Sequence, residues 1–299
     1  MQEFWTELQI ERALNYNGPF MPIDPRGYAD RREVPRYLTD EVALYLGIKR
    51  RTLRNWFFGY HYTVRGERRF ADALVEPAAV NPYGPALSFY NLAEAQVLAA
   101  TRQKWIVQPA ARPAGQQPIE PSDDGARSVS VPPKFGDKRK RRGEVQISMQ
   151  AIRSGIQYVS KEFPRHPLIS QYFFTDGKSL FVKQVEDKLG EHLTVNVSRL
   201  GQLAFSSILE IYLQRIERDS SGPIKIYPLR QIDDMDKSIV ITPGIASGRP
   251  VINGTGIRAE TVWHRFSAGE TVDELADDYD IEPRVIDKAI SYFTNVRAA

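Results

Sequence analysis

The side chains best placed to do chemistry in this chain are cations, and they are grouped. Between positions 47 and 70 stand Lys49, Arg50, Arg51, Arg54, Arg65, Arg68 and Arg69 against a single acid, Glu67. Cations at this density suit contact with a polyanion, whose phosphates they meet and whose counterions they release. Thr52 and Asn55 are interleaved with them, and Arg51, Arg54 and Asn55 have the donors and acceptors needed to read base edges. A second run, Lys138-Arg139-Lys140-Arg141-Arg142, would add sequence-independent attraction to nucleic acid. A solubilising linker without a specific partner fits that run equally well.

Other chemistries lack their residues. The chain has no cysteine, which excludes disulfide scaffolds, thiolate zinc sites, iron–sulfur clusters and thiol catalysis. Its four histidines, His61, His166, His192 and His264, include no two at metal-ligand spacing, so neither a metal nor a cofactor is expected. Phosphodiester hydrolysis needs clustered carboxylates around a metal. The acidic groups Asp233-Asp234-Asp236 and Asp277-Asp278 instead read as a linker and a solvated helix face. Gly244, Gly248, Gly254 and Gly256 crowd one loop, but no Lys-Ser/Thr pair follows them and the dinucleotide spacing is absent. The reading is of a binding protein rather than an enzyme.

The elements that must position the cations are short helices. Thr39 can cap a helix running through Glu41, Val42, Ala43, Leu44 and Leu46 to Gly47. Ile48 is the apolar turn residue, and Arg51 to Phe57 form a second helix that ends at Gly59. Two short helices joined by a glycine turn make a helix-turn-helix. Leu53 and Trp56 would face the core, leaving Lys49, Arg50, Arg54 and Asn55 outside. Tyr60 to Phe70 then reads as a β-hairpin wing tipped by Gly66, with Arg65, Arg68 and Arg69 reaching phosphates. A basic helical hairpin with a merely solvated face is the competing interpretation of the same pattern.

Five segments follow from the shifts in composition: an arm (1–35), a winged helix-turn-helix (36–105), a Pro-rich basic insertion (106–146), a middle α+β unit (147–232) and a C-terminal helical unit (233–299). A helix is expected over Leu92–Lys104 with Asn91 as its cap, and others over 148–163 and Leu200–Glu217. Two apolar runs around Asp176-Gly177 give a hairpin signal within Tyr172–Val182, and Ile224 to Leu229 reads as a strand. Near the C-terminus, Pro250–Ile252 and Gly256–Arg258 are expected as strands around an Asn253-Gly254 turn. Helices over Glu260–Ser267, Thr271–Tyr279 and Pro283–Phe293 complete the unit, the second with a Thr271/Glu274 capping box. The fold class is therefore mainly α with small β-hairpins, an α+β protein.

The net charge of +3 conceals an asymmetry. Residues 106–143 carry 8 basic and 4 acidic side chains, whereas 238–299 carry 6 and 9, so a basic front faces an acidic tail. The start, Met1-Gln2-Glu3-Phe4-Trp5, has no basic segment leading into an apolar core, and no long apolar run occurs. A cytoplasmic protein without a membrane span is expected.

The run Gly248-Arg249-Pro250-Val251-Ile252-Asn253-Gly254-Thr255-Gly256-Ile257 resembles the G-x-P-x-I-x-G-T-x-I signature of a small bacterial domain found in VapB-type antitoxins. Its motif positions are Gly248, Pro250, Ile252, Gly254, Thr255 and Ile257. Residues 267–293 are similar to the same domain, stretches at 87–95, 174–177 and 196–202 resemble the longer members, and the front resembles MerR-like winged helix-turn-helix units. The resemblance covers roughly 37–105 and 147–296. It implies a homodimeric antitoxin that neutralises a PIN-like ribonuclease toxin and represses its own operon by binding operator DNA. In such a protein a basic segment can enter the toxin's acidic metal site; here the candidates are Lys138–Arg142 and the arm near Arg26–Arg36. The alternative is a stand-alone regulator that answers a small ligand through the middle unit.

Overall fold

Helix α1 (Thr39–Leu46) and helix α2 (Arg50–Phe58) meet across a turn that glycine makes possible. Gly47 sits in the left-handed region at φ 63 and ends α1, its N–H reaching Leu44 O while Ile48 N–H reaches Ala43 O. These features come from a computed structural model that describes residues 30–81, 84–102, 105–106, 144–145, 149–190, 199–229 and 236–297. Thr39 is not the cap. It is the first helical residue, and the Glu41 carboxylate accepts the Leu38 N–H at 2.9 Å. Glu41 occupies the third helical position, from which a carboxylate reaches back to the N–H of the residue before the helix, so the start of α1 is held by the acid and not by a Thr39 hydroxyl.

Leu53, Trp56 and Phe57 line the inner face of α2, all nearly inaccessible. The wing follows as β1 (Tyr60–Val64) and β2 (Glu67–Ala71), antiparallel from Tyr60↔Ala71 to Val64↔Glu67. Arg65 (φ 51) and Gly66 (φ 85) form its tip, both at positive φ, as the tightest hairpin turns require. Gly59 (φ 69) hinges helix to wing: a Cβ there would stand 2.4 Å from Ala71 O and 2.6 Å from the Phe70 ring.

Helix α3 (Phe89–Ala100) is buried along its whole length. It begins three residues before the expected start, because Ser88 supplies the cap: Asn91 N–H donates to Ser88 Oγ at 3.2 Å. Asn91, read as the cap, instead uses its carbonyl oxygen to accept the Ser88 and Ala78 N–H groups at 3.1 and 2.8 Å. The two-residue strands β3 (Trp105–Ile106) and β4 (Glu144–Val145) pair antiparallel. The cationic run Lys138–Arg142 lies outside the described residues.

Beyond β4 come α4 (Met149–Ser160), a 3₁₀ turn (Pro167–Ile169) and a π-helical turn (Phe173–Gly177) that continues directly into α5 (Lys178–Gly190). The hairpin expected around Asp176-Gly177 does not form. Phe173, Phe181, Val182 and Val185 are all buried on one side, and the last three follow helical rather than alternating spacing. The Phe181 ring lies against Gly155 of α4, where a Cβ would approach it to 2.6 Å. Packing of the two helices thus overrides a local turn signal. Helix α6 (Arg199–Leu213) stops before Ile216, because Ile216 and Glu217 belong to β5 (Ile216–Asp219), which pairs with β6 (Gly222–Ile226). The expected strand over Ile224–Leu229 is therefore shifted toward the N-terminus.

In the C-terminal unit β7 (Ile239–Val240) pairs with β8 (Val251–Ile252). Gly256–Arg258 forms no strand and contributes only a bridge, Val251↔Arg258. The Asn253-Gly254 turn is present: Thr255 N–H donates to Ile252 O at 3.0 Å, with Gly254 at φ 82. Helices α7 (Ala259–Ser267), α8 (Val272–Tyr279) and α9 (Pro283–Arg297) follow. The capping box of α8 is complete, with Glu274 N–H donating to Thr271 Oγ1 at 3.2 Å and Thr271 N–H to Glu274 at 2.8 Å.

Among the described residues the fold is mainly α with four two-stranded antiparallel sheets, an α+β protein. One apolar core extends from Tyr37 to Ile241 and takes in α1 to α6, and a second, from Ile239 to Phe293, belongs to the C-terminal unit. No helix among the described residues is long and apolar enough to cross a membrane.

Candidate nucleic-acid interface

The inner face of α2 is used by the core, and its outer face is left to water. Lys49, Arg50, Arg51 and Arg54 are exposed, while Thr52 and Asn55 are half-buried beside them. Three successive cations, Lys49 to Arg51, occupy the N-terminal end of α2, which carries the positive pole of the helix dipole. Such an arrangement is locally unfavourable, and an anion placed there would relieve it while meeting backbone N–H groups. One acid partly answers it: Arg50 Nε lies 2.5 Å from Asp40, both side chains being exposed. A surface pair of this kind contributes little and can yield to a phosphate.

The wing follows α2 directly and carries further arginines on a two-stranded ribbon. Every residue from His61 to Phe70 is exposed, including Arg65 at the turn, Arg68 opposite Thr63 and Arg69 opposite Tyr62. Arg69 pairs with Glu67 at 3.1 Å. The ribbon also presents aromatic side chains, with His61 and Phe70 rings 4.9 Å apart and Tyr60 and Tyr62 rings 5.9 Å apart. A two-stranded ribbon and a helix end, both basic, form the geometry with which proteins grip a duplex.

The arm is a different matter. Arg32 donates to Asp30, to Pro223 O at 3.2 Å and to Ser221 Oγ at 2.8 Å, and Arg36 donates to Pro243 O at 3.0 Å. Burial would raise the Asp30 pKa, but bonds from Arg32 and Tyr90 outweigh it and hold the carboxylate below its ordinary range. These arginines anchor the chain to itself. Arg26 lies outside the described residues.

The C-terminal motif residues build a scaffold. Gly248 is buried and left-handed at φ 78, and the Pro250 carbonyl accepts Ala259 N–H at 3.1 Å at the start of α7. Ile252 is core, Ile257 packs against that core, and Gly254 makes the turn. Thr255 Oγ1 donates to Ile252 O at 2.9 Å and accepts Ile257 N–H at 3.0 Å. Among the described residues no group of three or more His, Asp or Glu side chains is arranged to hold a metal.

Residues 35–114 match the family described as "Putative DNA-binding HTH domain", and residues 239–293 match "Protein of unknown function (DUF433)". Over most of its length the chain is similar to an antitoxin. That relative, "Putative antitoxin VapB45" of Mycobacterium tuberculosis (strain ATCC 25618 / H37Rv), is 29% identical over 267 residues, spanning 85% of this chain and 91% of the relative. The X-ray crystal structure of Rv2018 from Mycobacterium tuberculosis shares the fold, with a TM-score of 0.51 at 22% identity over 86% of this chain and 97% of that one.

The structure also reveals residues that the sequence pattern did not single out. Tyr37, Glu41, Tyr45 and Arg249 tie the helix-turn-helix to the C-terminal unit. No spacing could have signalled this, since Glu41 and Arg249 are 208 residues apart. Arg249 does lie inside the recognised motif, but at one of its variable positions.

Proposed function

We propose that this protein is an antitoxin of a type II toxin–antitoxin pair, with no catalytic step of its own. The observation that carries the reading is an exposed basic helix end with a basic wing, in a chain similar to an antitoxin across most of its length. In this reading α2 enters the major groove of operator DNA, where Arg51, Arg54 and Asn55 read bases. Lys49, Arg50 and the wing residues Arg65, Arg68 and Arg69 hold phosphates. Helix-turn-helix proteins commonly read DNA as two-fold dimers, and in this reading the acting form is a homodimer in the cytoplasm.

The partner is a PIN-like ribonuclease, whose metal-binding carboxylates would attract a cationic segment of the antitoxin. Lys138–Arg142 is the segment we assign to that contact. Arg32 and Arg36 are committed to bonds within their own chain, which argues against those two entering the toxin. The acidic C-terminal unit suits protein contacts better than a phosphate backbone.

Co-expression with the product of the adjacent gene tests this reading. The two proteins are expected to co-purify, and the chain to relieve growth arrest caused by that product. A neighbour that is not a PIN-like ribonuclease, or arrest that persists, overturns the proposal.

A further inference from the structure

Gly248 and Arg249, in the first half of the C-terminal signature, bond to the helix-turn-helix, with Gly248 buried and Arg249 partly exposed. Tyr37, just before α1 and 1% exposed, donates its hydroxyl to the Gly248 carbonyl at 3.0 Å. A Cβ on Gly248 would stand 2.3 Å from that hydroxyl. Arg249 then reaches across one turn of α1: its Nη1 donates to the Glu41 carboxylate and, at 3.0 Å, to the Tyr45 hydroxyl. The other Glu41 oxygen caps α1 through the Leu38 N–H. From the far side, the Tyr292 hydroxyl of α9 donates to the Tyr45 carbonyl at 2.7 Å, and Leu44 packs on the C-terminal core.

The grip is held under strain. Ala246 (φ 47), Ser247 (φ 55) and Gly248 (φ 78) lie in the left-handed region in succession, two of them without glycine's freedom. Such a turn persists only where its surroundings over-determine it, and strained backbone concentrates where position matters. What the turn delivers is a guanidinium on α1. Val42, Ala43 and Leu46 of α1 are buried in the same core as Leu53, Trp56 and Phe57 of α2, so the attitude of α1 bears on the attitude of the helix carrying the exposed cations.

We infer that Arg249 is a positioning residue for DNA recognition: by holding Glu41 and Tyr45 it fixes the α1–α2 pair. The C-terminal unit is thereby a working part of the DNA-reading unit. This rests on the DNA-binding reading above. Base readout depends on angstrom-level placement of α2, whereas phosphate attraction depends mainly on charge. Loosening the grip therefore lowers sequence preference and leaves non-specific affinity in place.

The test compares full-length wild type, Arg249→Ala, Arg249→Lys and Tyr45→Phe. Each is titrated against the fragment immediately upstream of the protein's own gene and against a shuffled fragment of equal composition, at several salt concentrations. Arg249→Ala is expected to lower the preference for the upstream fragment about tenfold, with unchanged shuffled-fragment affinity and salt dependence. Arg249→Lys restores part of the preference. Tyr45→Phe, which removes one hydroxyl and keeps the ring, lowers it about threefold and keeps the inference testable if Arg249→Ala fails to fold. Wild-type preference in the folded variants, or equal losses on both fragments, overturns the inference alone. A wild-type chain that does not distinguish the fragments overturns the DNA-binding reading and this inference with it.

Discussion

Replacing Gly248 by alanine probes the join between the helix-turn-helix and the C-terminal unit, and its effect can be built from two terms. The residue sits at φ 78, where an L side chain adds about 1–2 kcal/mol of strain. The new Cβ would also lie 2.3 Å from the Tyr37 hydroxyl and 3.2 Å from ring carbon Cζ. Tyr37 is buried and cannot swing into solvent, so this overpacking adds about 1–3 kcal/mol. Gly248→Ala should therefore destabilise the chain by about 2–5 kcal/mol. Tyr37→Phe removes the hydroxyl and leaves the Gly248 carbonyl without its donor, a loss of about 1–3 kcal/mol. In the double variant the steric term falls away while the backbone term remains. The pair should thus be less destabilised than the two single effects added, by about 1–3 kcal/mol. Urea unfolding of the full chain, followed by far-UV circular dichroism and tryptophan fluorescence, measures all four corners of the cycle. A Gly248→Ala protein within about 0.5 kcal/mol of wild type, or strictly additive effects, would refute the close approach.

Three further outcomes follow from individual residues. Bonds from Thr271 hold the Glu274 carboxylate below its ordinary 4.5, and the Ser238 hydroxyl holds Asp236 below 3.8. Both values are depressed in the fold, so the stability they contribute is complete above those ordinary values and is lost as pH falls through the lowered ones. The urea midpoint should be level from about pH 7 to 5 and fall below about pH 4, less steeply in Thr271→Ala; a midpoint that rises on acidification contradicts this. Arg68→Ala should weaken binding to upstream and shuffled DNA alike and reduce the slope of log affinity against log salt by about 1; a selective loss on one fragment would place Arg68 on a base. Phe181→Ala should reduce unfolding stability by about 3–5 kcal/mol, because the ring is fully buried between α4 and α5; a loss under about 1 kcal/mol would restore an exposed hairpin there.

Several local signals in the sequence carried through to the structure. Gly47 ending α1, Gly66 at the wing tip, the Thr271/Glu274 box and the Asn253-Gly254 turn each depend on residues within a few positions. Misreadings arose where distant packing decided, and also where a neighbouring residue made the better cap. Asp176-Gly177 is a strong turn signal, yet the fit of Phe181 on Gly155 draws the segment into a helix. Asn91 looks like a cap but serves inside a fully buried helix, because Ser88 stands at the right place three residues earlier. The candidate DNA face was legible because charge density needs no fold to be noticed. Its bracing was not: Tyr37, Glu41 and Tyr45 meet Gly248 and Arg249 only after two hundred residues of chain have folded between them. The motif glycines and Pro250 were legible as a family mark, and the structure gives Gly248, Pro250 and Gly254 scaffold roles.

The central claim is that α2 reads DNA through its exposed cations, and one measurement bears on it most directly. The triple variant Arg50→Ala, Arg51→Ala and Arg54→Ala alters only exposed side chains and should keep the wild-type fold by circular dichroism. Titrated against the fragment upstream of its own gene, it should bind about a hundredfold or more weakly than wild type, while still co-purifying with the adjacent gene product. Unchanged affinity in a folded triple variant would contradict the account and move the DNA contact elsewhere in the chain.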